Sequence, residues 1–155
     1  MWIKLIGAGM LLACGGLWAG AQTRAERAEI TRVAAFGDLF ARIGEQIETL
    51  CLPLDEILSH TPAEAIAACG CEGVGRAVLR PAAERIEDTA AREILVRAVG
   101  QLGRGSREDQ VKLCRGTAEA LKVRSEKLAG EAERSARARG TLVMTACLGG
   151  IILLW

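Results

Sequence analysis

Charge is almost absent from the two ends of this 155-residue chain and dense between them, and that pattern narrows what the chain can fold into. From Ile3 to Ala21 the only charge is Lys4, and from Thr141 to Trp155 there is none. Each run needs burial, and a bilayer offers it. Trp2 and Trp18 would lie roughly 24 Å apart on a helix, a spacing suited to two interfacial aromatic belts. The C-terminal run is 15 residues, short of the ~20 that a spanning helix usually needs. Arg137 and Arg139 can extend it by snorkelling to the interface, and local bilayer thinning absorbs some mismatch. The pair Gly149-Gly150 would allow close helix approach.

Basic residues then set the orientation. Arg24, Arg27 and Arg32 follow the first run, and Arg134, Arg137 and Arg139 precede the second. The positive-inside rule places the segment between them in the cytoplasm. The expected organisation is a transmembrane helix at 2–21, a cytoplasmic helical domain at 22–139 and a second transmembrane helix at 140–155. A different processing gives the alternative class, a secreted or lipid-anchored helical protein. Ala19-Gly20-Ala21 resembles a signal-peptidase site, and Leu11-Leu12-Ala13-Cys14 resembles a lipobox.

The central segment reads as all-α. Aromatic residues make up only 3% of the chain and Tyr is absent, so strands built on alternating bulky residues are not expected. Ala, Leu, Glu and Arg favour helix. Phe36, Phe40, Ile43, Ile47, Leu50 and Leu54 recur at steps of four and three, a heptad seam that Pro53 should kink or end. Thr61-Pro62-Ala63-Glu64 predicts a capped start for a short helix from Pro62 to Cys69. Gly70, Gly73 and Gly75 mark a turn region. Arg76–Leu79 and Pro81–Glu87 read as helical, and Asp88 or Thr89 should cap the next helix through Leu102. After the break Gly103-Arg104-Gly105-Ser106, Ser106 with Asp109 forms an N-cap pattern. A second seam follows through Val111, Cys114, Ala118, Leu121, Ser125, Leu128 and Ala132. The two seams predict an antiparallel helical bundle flanked by the terminal membrane helices, with coiled-coil character. The same seams would also serve a homo-oligomer.

Chemistry-bearing constellations are scarce. The net charge is +1 and the arginines are interspersed with glutamates, so nucleic acid is not an expected partner. Six cysteines stand at 14, 51, 69, 71, 114 and 147, and the single histidine, His60, is far from a four-ligand metal pattern. Reduced thiols on a cytosol-facing domain are the plainer reading. No phosphate-cradling loop occurs. With one histidine, Ser-His-Asp and Cys-His catalysis are not expected. Neither enzyme activity nor a cofactor is expected. The surfaces best placed to read a partner are the bend at Pro53, Leu54 and Glu56 and the turn at Gly103, Ser106, Asp109 and Gln110, since loops on a helical scaffold often carry function.

The opening Met1-Trp2-Ile3-Lys4-Leu5-Ile6-Gly7-Ala8, the stretch Ile47 to Leu58 with Pro53-Leu54-Asp55-Glu56, the turn Leu102 to Gln110 and the close Leu148 to Leu154 together resemble the stage III sporulation protein AB family. Thr49 stands where that family usually has Tyr, and Gly105-Ser106 where it has Ser-Asp. The resemblance implies a part in endospore formation. It also implies similarity to the inner-membrane platform protein of type II secretion and type IV pilus systems. On that reading the chain sits in the mother-cell membrane facing the forespore. Its partners are then membrane lipid, a secretion-type cytoplasmic ATPase and other stage III sporulation membrane proteins.

Overall fold

A computed structural model of the chain describes the backbone of residues 2–50 and 52–154, and the side chains of residues 20–50, 52–142, 145, 146 and 149. Among the described residues there are six helices and no strand: α1 (Trp2–Leu50), α2 (Leu54–His60), α3 (Ala63–Ala68), α4 (Arg76–Glu84), α5 (Thr89–Gln101) and α6 (Arg107–Leu154). The all-α class is therefore as the composition predicts. The chain divides into two compact units, one of Met1–Ala28 with Leu128–Trp155 and one of Glu29–Lys127. The expected spans at 2–21 and 140–155 fall mainly on residues whose side chains lie outside the described set. Among the described residues, no helix is long and apolar enough to cross a membrane.

In the terminal unit, Arg139 grips Glu26 with two nitrogens, at 2.7 and 2.6 Å. The hydrogen bond from Arg139 holds the Glu26 carboxyl below its ordinary range. Ser135 Oγ accepts a further bond from Arg139 at 3.0 Å.

The Glu29–Lys127 unit holds a core to which every helix contributes. Val33, Phe36, Leu39, Phe40 and Ile43 of α1 are buried, with Leu95, Ala98 and Val99 of α5 and Cys114 and Leu121 of α6. The shorter helices close it with Ile57, Leu58, Ile66 and Leu79. Leu39 widens the α1 stripe beyond the strict seam, as a helix facing several neighbours requires.

Two glycines on α1, one heptad apart, set the pairing with α6. A Cβ on Gly37 would meet Ala118 O and Leu121 Cβ at 3.6 Å, and one on Gly44 would meet Cys114 Cβ at 3.1 Å. Rising numbers on α1 face falling numbers on α6, so within this unit the two seams run antiparallel. The first seam stops short of its expected length, however. Ile47 and Leu54 are half-buried and Leu50 is 55 % exposed. The cause is geometric: α6 starts at Arg107, opposite the last turn of α1, and offers no apolar face beyond it.

Asp88 caps α5 through Ala91 N at 2.8 Å, as expected. It also takes Arg124 Nε and Nη2 at 2.9 and 2.5 Å, which keeps its carboxyl below the ordinary range. Glu29 Oε1 accepts from Glu87 N at 2.7 Å, tying the preceding loop to α1. Thr61 does not cap α3. Its hydroxyl donates back to Ile57 O at 2.9 Å and it ends α2, leaving Pro62 as an N-cap without a side-chain bond. Pro81 does not separate two helices but sits inside α4. The helical donor it lacks would have served Ala77, whose exposed position leaves that carbonyl to water.

Candidate functional site

The two segments singled out as partner-reading surfaces meet. Pro53 ends the α1–α2 connection with φ −64 and ψ 148, and its carbonyl accepts from Glu56 N and Ile57 N at 3.0 and 3.1 Å. A proline there has no N–H to lose to the helix, which suits a helix start. Leu54, the first residue of α2, is half-buried. Glu56 points its carboxylate to solvent, while its carbonyl accepts from Ser59 Oγ at 2.7 Å and His60 Nδ1 at 2.8 Å. His60 is thereby a helix-end hydrogen-bonding residue, and among the described residues no group of three or more His, Cys, Asp or Glu could hold a metal ion.

The α5–α6 turn is built around Gln110. This side chain, 8 % exposed, accepts from Gly103 N at 2.7 Å and donates to Gln101 O at 3.3 Å and to Arg104 O. One amide thus serves three backbone groups at the helix break, of which Gln101 O also accepts from Arg104 N at 3.0 Å. Gly103 has φ +76, a left-handed conformation that a side chain disfavours, and Leu54 Cδ2 lies 3.5 Å from where its Cβ would be. Ser106 and Asp109 form a reciprocal cap on α6: Asp109 N donates to Ser106 Oγ at 3.2 Å, and Ser106 Oγ donates to Asp109 Oδ2 at 2.6 Å. That bond holds the Asp109 carboxyl below its ordinary range.

Between bend and turn lies an open cavity of ≈ 230 Å³. Leu54, Gly103 and Gln110 line it, joined by Ile47, Leu52, Gly105 and Arg107. Pro53, Glu56, Ser106 and Asp109 do not line it; they shape the segments that do. The volume is below the roughly 300–1,000 Å³ of small-molecule sites, so it suits one or two protruding side chains better than a cofactor.

Arg107 was missed by the sequence reading. Its Nε donates to Ile47 O at 3.0 Å and its Nη2 to Glu48 O, so it caps the C-terminal end of α1, where carbonyls lack helical donors. Arg115 reaches the Glu48 carboxylate at 2.5 Å beside it. Ile47 belongs to the first heptad seam; its exposure to the cavity follows from where α6 begins, which no local pattern reveals.

The cysteines offer no reactive centre among the described residues. Cys69, Cys71 and Cys114 are free and buried. Burial pushes the Cys69 thiol up to about 12 and the Cys114 thiol up to about 11, and raises that of Cys71. Thiols held so far above neutral pH are poor nucleophiles.

Set against models of known protein families, curated proteins and solved structures, the chain gives no significant match to any of them.

Proposed function

We propose that this chain is a non-enzymatic platform or adaptor subunit of the sporulation-specific, secretion-like channel complex between mother cell and forespore. It couples a cytoplasmic ATPase to the membrane components, with residues 2–21 and 140–155 as its membrane helices and the helical domain in the cytoplasm. The observation that carries the reading is the convergence of the Pro53 bend and the Gly103–Gln110 turn on one cavity. Both segments belong to the stretches that resemble the stage III sporulation protein AB family. An adaptor needs rigid helices, a membrane grip and a surface that reads a partner, and it needs no tuned nucleophile or base.

The test is a pull-down of the cognate secretion-type ATPase by the full-length protein in detergent, paired with intact mass and alkaline extraction of the membrane-bound chain. Retention of the ATPase by an uncleaved, extraction-resistant chain supports the adaptor. Reproducible absence of ATPase binding overturns it. Cleavage after Ala21 or lipidation at Cys14 also overturns it and assigns the protein to the secreted or lipid-anchored class.

A further inference from the structure

The cavity between α1, α2 and the α5–α6 turn has a charge character as well as a shape. Its floor is apolar, from Ile47, Leu52 and Leu54, and among the described residues Arg107 is its one charged lining residue. A second guanidinium stands at its edge. Arg76 Nη1 lies 3.2 Å from where a Cβ on Gly103 would be, next to Leu54 Cδ2 at 3.5 Å from the same point.

Arg76 breaks two local rules. It is half-buried yet makes no hydrogen bond or ion pair with any described residue. It is also the first residue of α4, where a cation opposes the helix dipole, and no acid in that first turn offsets it. The α4 N-cap, Gly75, supplies no side-chain bond either, so the exposed N–H groups add to the positive field. No described acid pairs with Arg76. Glu48 is paired with Arg115, Asp109 keeps its charge on the Gly105 side of the recess, its Oδ2 3.7 Å from where a Cβ on Gly105 would be, and Asp55, Glu56 and Glu108 are exposed and do not line the cavity. A charge left unpaired against the grain of its helix, beside an apolar recess, marks a place where local stability yields to binding.

We propose that this recess docks an acidic-hydrophobic segment of a protein partner, one apolar side chain seated on Ile47, Leu52 and Leu54 and a neighbouring carboxylate paired with Arg76. The volume admits one or two side chains, which fits a protein anchor and not a cofactor. This deepens the adaptor reading, and rests on it only for the identity of the partner.

The experiment uses the full-length protein in neutral phosphatidylcholine nanodiscs and fluorescein-labelled ten-residue peptides followed by anisotropy. One peptide carries two leucines flanked by glutamates; matched peptides carry glutamine for glutamate or alanine for leucine. The acidic leucine peptide is expected to bind about fivefold tighter than the glutamine control, the upper range for one partly screened ion pair, to bind tighter than the alanine control through its seated leucine, and to weaken as salt rises. Arg76→Glu should abolish the preference and Arg76→Lys should retain most of it. Arg76→Glu places an acid at a helix start, so folding is preserved, and an unchanged thermal transition checks this. Equal binding of all three peptides, no binding of any, or a preference that survives Arg76→Glu overturns the proposal. ATPase retention without peptide preference removes this proposal alone. Peptide preference without ATPase retention removes the adaptor reading and leaves the recess as a docking site.

Discussion

The contact between α1 and α6 at Gly44 can be tested against an internal control on the same helix. Alanine at either Gly37 or Gly44 removes backbone freedom from the unfolded chain and favours helix by up to about 1 kcal/mol. At Gly37 the new Cβ meets its neighbours at 3.6 Å, an ordinary contact, so Gly37→Ala keeps that gain. At Gly44 the Cβ would sit 3.1 Å from Cys114 Cβ, an atom fixed to the α6 backbone that cannot swing away. The helices must part by a few tenths of an ångström along a seam that also holds Phe40, Ile43 and Leu121. Overpacking of this kind costs about 1–3 kcal/mol, so Gly44→Ala is expected to destabilise by about 0–2 kcal/mol after the helix gain is set against it. The difference between the two variants is then about 1–3 kcal/mol. For the full 155-residue chain that corresponds to roughly 2–4 °C in Tm per kcal/mol. Urea and thermal unfolding of the full chain, followed by circular dichroism, read it directly. Cys114→Gly adds a further check, since it should cost less in the Gly44→Ala background than in the wild-type. Equal stabilisation by both alanines, or additive behaviour with Cys114→Gly, would refute the close approach.

Three further outcomes follow from single sites. Asp88→Asn keeps the cap on Ala91 N but loses the charge opposite Arg124, and should cost about 1–2 kcal/mol at pH 7; Asp88→Ala should cost about 1 kcal/mol more. Because the folded Asp88 carboxyl titrates below its unfolded value, its contribution is full above the unfolded pKa and is lost as pH falls through the folded one. The Asp88→Asn penalty in urea melts should therefore shrink below about pH 4; a penalty that persists unchanged at pH 2–3 would show that the pair is not its source. Gly103→Ala forces a side chain into a left-handed conformation and should lower stability by about 1–2 kcal/mol, with Gly103→Asn milder, as read from the same melts. Iodoacetamide at pH 8 should leave Cys69, Cys71 and Cys114 unmodified in the native protein and label all three in urea, as mapped by peptide mass; native labelling at any of them contradicts their burial.

How much of this was legible in the sequence depends on the reach of each interaction. Asp88 and the Ser106–Asp109 pair were readable because a cap is closed within three residues. Thr61 was misread by the same logic. The cap pattern fits α3, but the hydroxyl has a nearer acceptor in Ile57 O, and a junction this short lets one residue serve only one helix. Gly37 and Gly44 read only as weak helix formers until the partner helix is in place, because close approach is a property of the pair. Arg107 is the far limit of this trend. Its acceptors lie about sixty residues away, and nothing around it in the chain announces them.

The same distinction explains why the candidate site was half visible. The bend and the turn each carry local punctuation, Pro53 and the glycines at 103 and 105, so both could be flagged as surfaces. Their meeting depends on the length of α6. Had that helix begun one turn earlier, its added residues would cover Ile47 and Leu50, and the recess between bend and turn would close. It begins instead at Arg107, whose guanidinium replaces an apolar helix face with a cap on two carbonyls. The apolar seam of α1 therefore outlasts its partner by about one turn. That overhang leaves Ile47 open to join Leu52 and Leu54 in the floor of the recess, and the cations at its edge, Arg107 and Arg76, set which partner chemistry it favours.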